Sequence, residues 1–73
     1  MTQQEANKEA RRLVEEMYQA IGFYPQAKRC ARICQQRVVD KLTDLSKTIP
    51  FDFVEIYTER ADQIMILEAI DKL

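Results

Sequence analysis

The strongest helix-breaking residues fall at two places in this chain and divide it into three segments. The single glycine is Gly22, and the two prolines are Pro25 and Pro50. Glycine and proline are the residues least compatible with a helix interior. Each segment is roughly twenty residues long and repeats its apolar residues at helical spacing. The sequence therefore predicts an all-α protein with helices over residues 2–21, 25–46 and 52–73.

The three helices are expected to form one antiparallel domain that spans residues 1–73. A chain of 73 residues is short for a domain. At this size, folding buries only about 60% of the surface that the unfolded chain exposes. Because such a core is thin, we expect oligomerisation to complete it, as a homodimer or a higher homo-oligomer.

The first segment carries the clearest helix signals. Thr2 and Glu5 match a capping box, in which each side chain binds a free backbone amide of the first turn. Gly22 stands where a left-handed residue commonly ends a helix. The apolar residues form a single stripe, which consists of Ala6, Ala10, Leu13, Val14, Met17, Tyr18 and Ile21.

The second segment begins near Pro25, which suits a first helical position because it has no amide proton to lose. Its spacing predicts a buried stripe of Ala27, Ala31, Cys34, Val38, Leu42 and Leu45, widened by Cys30 and Ile33. The two cysteines lie one turn apart and cannot supply the four ligands of a structural zinc site. We therefore expect Cys30 and Cys34 to be reduced and buried as small apolar residues.

The third segment contains two apolar stripes on roughly opposite sides of one helix, which starts near Asp52. The first stripe consists of Val54, Tyr57, Ala61, Ile64 and Met65, and the second of Ile66, Ile70 and Leu73. Two neighbouring helices are expected to cover only the first stripe. Ile66, Ile70 and Leu73 are then the candidate oligomer interface. Alternatively, the first helix covers this second stripe within one chain.

Composition excludes several kinds of active site. The chain has no histidine, one glycine and one serine, Ser46. Histidine metal sites, Ser–His or Cys–His nucleophile pairs and glycine-rich phosphate loops are therefore absent from the sequence. We predict that the protein is not an enzyme and requires neither a metal nor a cofactor.

Charge is distributed unevenly along the chain although the net charge is −1. No acidic residue lies between Glu16 and Asp40, whereas the third segment is acidic. Aromatic and basic side chains meet near the start of the second helix, where free amides favour an anion. They form a candidate phosphate, nucleotide or nucleic-acid site of Tyr24, Lys28, Arg29 and Arg32. Alternatively, the cations complement the acidic third helix.

The sequence carries no signal for a membrane or for secretion. Its first ten residues contain no apolar stretch of the signal-peptide type, and no apolar run is long enough to span a bilayer. We expect a cytoplasmic protein without membrane contact.

Three segments resemble short proteins from phages and prophages of Bacteroides-like bacteria. They are AxxLVEEMY at Ala10–Tyr18, AKRCARI at Ala27–Ile33 with VVDKL at Val38–Leu42, and LEAIDKL at Leu67–Leu73. The closing helix of that group usually carries a Tyr-Trp pair, whereas this chain has no tryptophan. The resemblance implies the same order of three helices and a small host-interaction or accessory role, with no activity to carry over.

Together these features predict a small non-enzymatic interaction protein, phage-encoded, that binds and modulates a host protein in the host cytoplasm. One alternative is an oligomeric module that sequesters a nucleotide or another anion. A second alternative is a nucleic-acid-binding accessory protein, which the net charge of −1 disfavours.

Overall fold

The protein folds as a three-helix bundle. A computed structural model describes residues 1–48 and 54–73, and these form α1 (Gln3–Ile21), α2 (Tyr24–Thr48) and α3 (Val54–Lys72). Each helix packs against the other two, and the bundle is 43 Å long. The predicted all-α arrangement is confirmed, and every predicted helix end except the start of the third helix lies within two residues of the observed one. The predicted start at Asp52 falls outside the described residues.

The local signals of α1 are all present in the structure. The Glu5 amide donates to Thr2 Oγ1 at 3.2 Å, and the Thr2 amide donates to Glu5 Oε1 at 3.3 Å, which completes the capping box. Gly22 ends the helix with φ 78°, and its amide donates to the Tyr18 carbonyl at 2.7 Å. The buried side chains are Ala6, Ala10 and Val14.

The buried face of α2 matches the predicted stripe at Ala27 and Ala31 and is displaced by one residue at the next two positions. The predicted members that are exposed are Ile33, Cys34, Val38 and Leu45, and Leu42 is half-buried. The reason is a buried polar contact, since Gln35 is only 5% exposed. Its amide nitrogen donates to the Gln63 carbonyl at 2.9 Å and to Gln63 Oε1 at 2.7 Å. The buried series is therefore Ala27, Ala31, Gln35 and Val39.

This difference in the buried face of α2 also changes the environment of the cysteines. Both are free thiols, but Cys30 is half-buried and Cys34 is exposed. The prediction that both thiols are buried is wrong for Cys34, because the burial of Gln35 turns the preceding side chain towards solvent.

The two faces of α3 are reversed relative to the sequence prediction. Ile66 and Ile70 are 2% and 0% exposed and share one core cluster with the buried residues of α1. They are therefore not available to a second chain, and the predicted oligomer interface is wrong for them. Leu73, the third residue of that interface, is exposed at the last position of the chain. The alternative, in which α1 covers this stripe internally, is the one observed.

The stripe that was expected to face inward is divided: Met65 packs against the core cluster, the Tyr57 hydroxyl donates to the Ser46 carbonyl of α2 at 3.4 Å, and the other residues are more exposed. Val54 is 66% exposed and Tyr57 is 41% exposed. Ala61 is also exposed, whereas Ile64 and Met65 are half-buried. The helix is continuous through Asp62 and Gln63, so both faces belong to one straight element.

The helices are staggered along the bundle axis. The N-terminal ammonium of Met1 lies 3.2 Å from Asp62 Oδ1, so the first two turns of α3 extend past the start of α1. At the opposite end, Lys28 and Arg32 both donate to Asp71, so about the first turn of α2 extends past the end of α3. The two turns of α3 correspond to about 11 Å. Each end of the bundle is therefore built from only two helices.

Candidate binding surface at the α1–α2 turn

The connection between α1 and α2 is a rigid two-residue link that carries an exposed aromatic side chain. Gly22 and Phe23 are the only residues between the two helices. The backbone is held on both sides, because Gly22 donates to the Tyr18 carbonyl and the Phe23 carbonyl accepts the Ala27 amide at 2.9 Å. The Phe23 side chain is nevertheless 60% exposed. The fold thus holds a large apolar group in solvent at a fixed position.

Other apolar side chains surround this link. Tyr18, Ile21 and Tyr24 are exposed. The rings of Tyr18 and Tyr24 pack edge to face, with centroids 6.1 Å apart and planes at 61°. These side chains remain uncovered because α3 ends beside Lys28 and Arg32, after the first turn of α2. We call this surface the aromatic turn and define it by Tyr18, Ile21, Phe23 and Tyr24.

A shallow cleft lies beside Phe23. It has a volume of about 260 Å³ and is lined by Phe23, Pro25, Gln26 and Arg29. An arginine next to an exposed aromatic ring offers both a charged hydrogen-bond donor and apolar contact area. The cleft is therefore suited to a side chain that combines an apolar body with an acceptor.

Two of the four predicted anion-site residues donate hydrogen bonds to α3. Arg32 Nε donates to Asp71 Oδ1 at 2.7 Å, and Lys28 Nζ donates to the Asp71 carbonyl at 3.3 Å. The reading in which these cations complement the acidic third helix is confirmed for both residues. Arg32 and Asp71 are each about half exposed, so their ion pair contributes at most ~1 kcal/mol.

The remaining two residues of the predicted anion site do not form a cluster. Arg29 is exposed, forms no ion pair with any of residues 1–48 or 54–73, and lines the cleft beside Phe23. Tyr24 packs against Tyr18 on another side of the helix. Five residues separate Tyr24 from Arg29, which places them about 140° apart around α2. The structure therefore divides the predicted site between two surfaces.

The strongest charge cluster lies elsewhere, on the outer face of α1. Arg12 donates to Glu16 Oε1 at 2.6 Å and also to Glu9. The hydrogen bond from Arg12 lowers the pKa of the Glu9 carboxyl, and the two carboxylates raise the pKa of Arg12. Because both carboxylates are already paired, this cluster does not offer a free charge to a ligand.

The described residues supply no group of side chains suited to metal binding. Across 1–48 and 54–73, no three histidine, cysteine or acidic side chains converge on a point where a metal could bind. Within the same ranges no helix has both the length and the apolar character that a bilayer span requires.

Comparison with known proteins found no matching family model, no matching curated protein and no matching solved structure.

From the sequence, Phe23 and Tyr24 could both stack on a base, but the candidate site included only Tyr24 of the two. The available signal for Phe23 was its place in a two-residue link between two well-capped helices, where a large apolar side chain has little space to turn inward. The link is uncovered because α3 ends before it reaches the link, and the sequence does not show where α3 ends relative to α2.

Proposed function

We propose that this chain is a small non-enzymatic interaction protein that binds another protein through the aromatic turn. The observation that carries the proposal is Phe23, a side chain 60% exposed on a backbone fixed by hydrogen bonds on both sides. In this proposal Phe23 is the anchor that enters an apolar pocket of the partner. Arg29 contacts an acceptor at the edge of that pocket.

The energetics favour such a role. Moving one exposed phenylalanine side chain out of water contributes about 1.5–3 kcal/mol. Because the link is already rigid, binding loses little conformational entropy. Aromatic residues and arginine are also the types most often found at the energetic centres of protein interfaces. An anchor of this kind contributes a large share of the binding energy, and the rest comes from the contacts around it.

The proposed partner is a host protein. The resemblance to short phage proteins supports this choice, and a phage-encoded binding protein would act in the host cytoplasm. The partner pocket is expected to be apolar and rimmed by acidic or carbonyl oxygens, since Arg29 is the free charge beside Phe23. Binding there would modulate the host protein by blocking or altering the surface that it contacts.

A nucleotide or another anion is the alternative ligand, and one observation favours it. Arg29 is exposed and lies beside the Phe23 ring, which is a pairing that can stack on a base and contact a phosphate. Lys28 and Arg32 argue against it, since both already bind Asp71. A nucleic-acid-binding accessory role is weaker still because the net charge is −1.

The experiment that tests the proposal is affinity capture from a lysate of Bacteroides-type cells, quantified by mass spectrometry for each bait. The decisive variant is Phe23→Ala, and the matched control is Ile33→Ala, which truncates another exposed apolar side chain on α2. Circular dichroism confirms that both variants remain helical. We expect a discrete host protein to be retained by wild type and control and reduced at least tenfold with Phe23→Ala. Equal capture by all three baits would contradict the proposal.

Calorimetric titration with ATP and with inorganic phosphate separates the alternative from the proposal. If the aromatic turn binds protein, neither ligand should bind measurably at physiological salt. Salt-sensitive ATP binding that is lost in Arg29→Glu and kept in Arg37→Glu would favour the nucleotide module instead.

A further inference from the structure

A second cleft lies near the start of α1, at the opposite end of this helix from the aromatic turn. It has a volume of about 380 Å³ and is lined by Gln4, Asn7, Lys8 and Arg11. Residues at this spacing share one side of a helix and, at 1.5 Å per residue, extend over about 10 Å. All four side chains carry hydrogen-bond donors and none is acidic. We call these four residues the donor row.

The two cations of the donor row are not neutralised by an ion pair. Lys8 and Arg11 are exposed and form no ion pair with any of residues 1–48 or 54–73. Glu15 lies one turn beyond Arg11 on the same side of α1, but it does not line the cleft and is not within ion-pair distance of Arg11. The positive charge of the cleft therefore faces solvent.

Hydrogen bonds around the donor row keep its donors available. Gln3 Nε2 donates to Asn7 Oδ1 at 3.0 Å, which occupies the acceptor of the Asn7 amide and leaves its nitrogen for another partner. On the neighbouring side of the helix, Arg12 binds both Glu9 and Glu16, so neither of these carboxylates competes for the donor row. The cleft is thus built to bind acceptors rather than donors.

We infer that the donor row binds a carboxylate-rich segment of another protein. Lys8 and Arg11 are three residues apart on one helix, which places their Cβ atoms about 5–6 Å apart. Two carboxylates have a similar spacing at positions i and i+3 or i+4 of a partner helix, or at i and i+2 of an extended segment. Arg11 can bind one carboxylate through two parallel hydrogen bonds. The amides of Gln4 and Asn7 then bind the second carboxylate or a backbone carbonyl beside it.

A nucleic acid matches the donor row less well than an acidic protein segment does. Duplex DNA carries one negative charge per ~1.7 Å of its axis, so a length of 10 Å carries about six charges. The donor row supplies two cations, and a net charge of −1 adds no general attraction for a polyanion. A segment with two or three carboxylates has the charge density of the row itself. The inference does not depend on the role of Phe23, which lies beyond the other end of α1.

Fluorescence anisotropy with labelled poly-L-glutamate at low ionic strength tests the inference. We expect binding by the wild type that weakens as salt is added, because the contacts are exposed and ionic. The double variant Lys8→Glu with Arg11→Glu should raise the dissociation constant at least tenfold. The matched control is Lys47→Glu with Lys72→Glu, which makes the same change of net charge at two exposed lysines outside the row. It should change the dissociation constant less than twofold, and circular dichroism verifies that both variants are helical.

Three results would overturn the inference. Poly-L-glutamate may fail to bind the wild type, or it may lose the same affinity in both double variants, in which case net charge alone attracts it. Tighter binding of a DNA duplex than of poly-L-glutamate with the same total charge would assign the surface to nucleic acid instead. Phe23→Ala should bind poly-L-glutamate as tightly as the wild type, so a failure of the proposed function leaves this test unaffected.

Discussion

Replacing Ile70 with alanine tests directly which face of α3 forms the core. Ile70 is 0% exposed, and most of its neighbours in the core cluster are alanines. Alanine side chains cannot change rotamer to fill the space that a truncated isoleucine leaves. The loss should therefore lie in the upper part of the ~2–5 kcal/mol range for such substitutions. A chain of 73 residues has a total stability of roughly 4–11 kcal/mol. This one substitution should remove about a third or more of it.

Urea unfolding followed by circular dichroism measures this effect. With a denaturant slope of about 1 kcal/mol/M, a loss of 3 kcal/mol lowers the midpoint by about 3 M. The control is Ile33→Ala, which makes the same change at an exposed position and should cost less than about 1 kcal/mol. Similar midpoints for both variants would refute the assignment of the core face. So would an Ile70→Ala variant that changed only the oligomer mass.

Three further outcomes follow from individual residues. Gly22→Ala should lower the free energy of unfolding by about 1 kcal/mol, measured by thermal or urea unfolding. A φ of 78° is unfavourable for any residue with a side chain, although the added methyl group would contact no neighbouring atom. Gln35→Ala should cost about 1–3 kcal/mol by the same assay, because the Gln63 carbonyl loses its donor in a partly buried site. A thiol reagent should modify Cys34 in the native protein faster than Cys30, and peptide mapping that found the reverse order would contradict the observed buried face of α2.

The first helix could be predicted in detail because all of its signals are local. The Thr2–Glu5 capping box and the terminal Gly22 depend on residues within one turn of each other. Its apolar residues also occupy a single side, so the sequence allows only one buried face. The exposed end of that stripe, at Tyr18 and Ile21, could not be predicted because it depends on where α3 stops.

The faces of α2 and α3 required information that is not local. The buried face of α2 includes Gln35 because Gln35 hydrogen-bonds Gln63, which is far away in sequence. A prediction that places apolar residues inside and polar residues outside assigns such a glutamine to the exposed face. For α3, both faces are apolar, and only the docking of α1 decides which one is core. In the structure α1 docks through Ala6, Ala10 and Val14, which share one core cluster with Ile66 and Ile70.

The sequence placed a candidate site at the start of α2, and the structure shows which of its cations have partners. Lys28 donates to the Asp71 carbonyl, and Arg32 pairs with the Asp71 carboxylate at the end of α3. Arg29 lies beside the exposed Phe23. The sequence could not supply these contacts, because they join residues that are 43 and 39 positions apart.

Photo-crosslinking from position 23 is the most direct measurement of the proposed role of Phe23. A photoreactive phenylalanine analogue replaces Phe23 in one version and Gln19, an exposed residue of α1, in a control version. Irradiation in host cells is followed by denaturing electrophoresis and mass spectrometry of the adducts. We expect one discrete protein adduct from position 23 and none of that mass from position 19. The absence of an adduct at position 23, or the same adducts at both positions, would contradict binding through the aromatic turn.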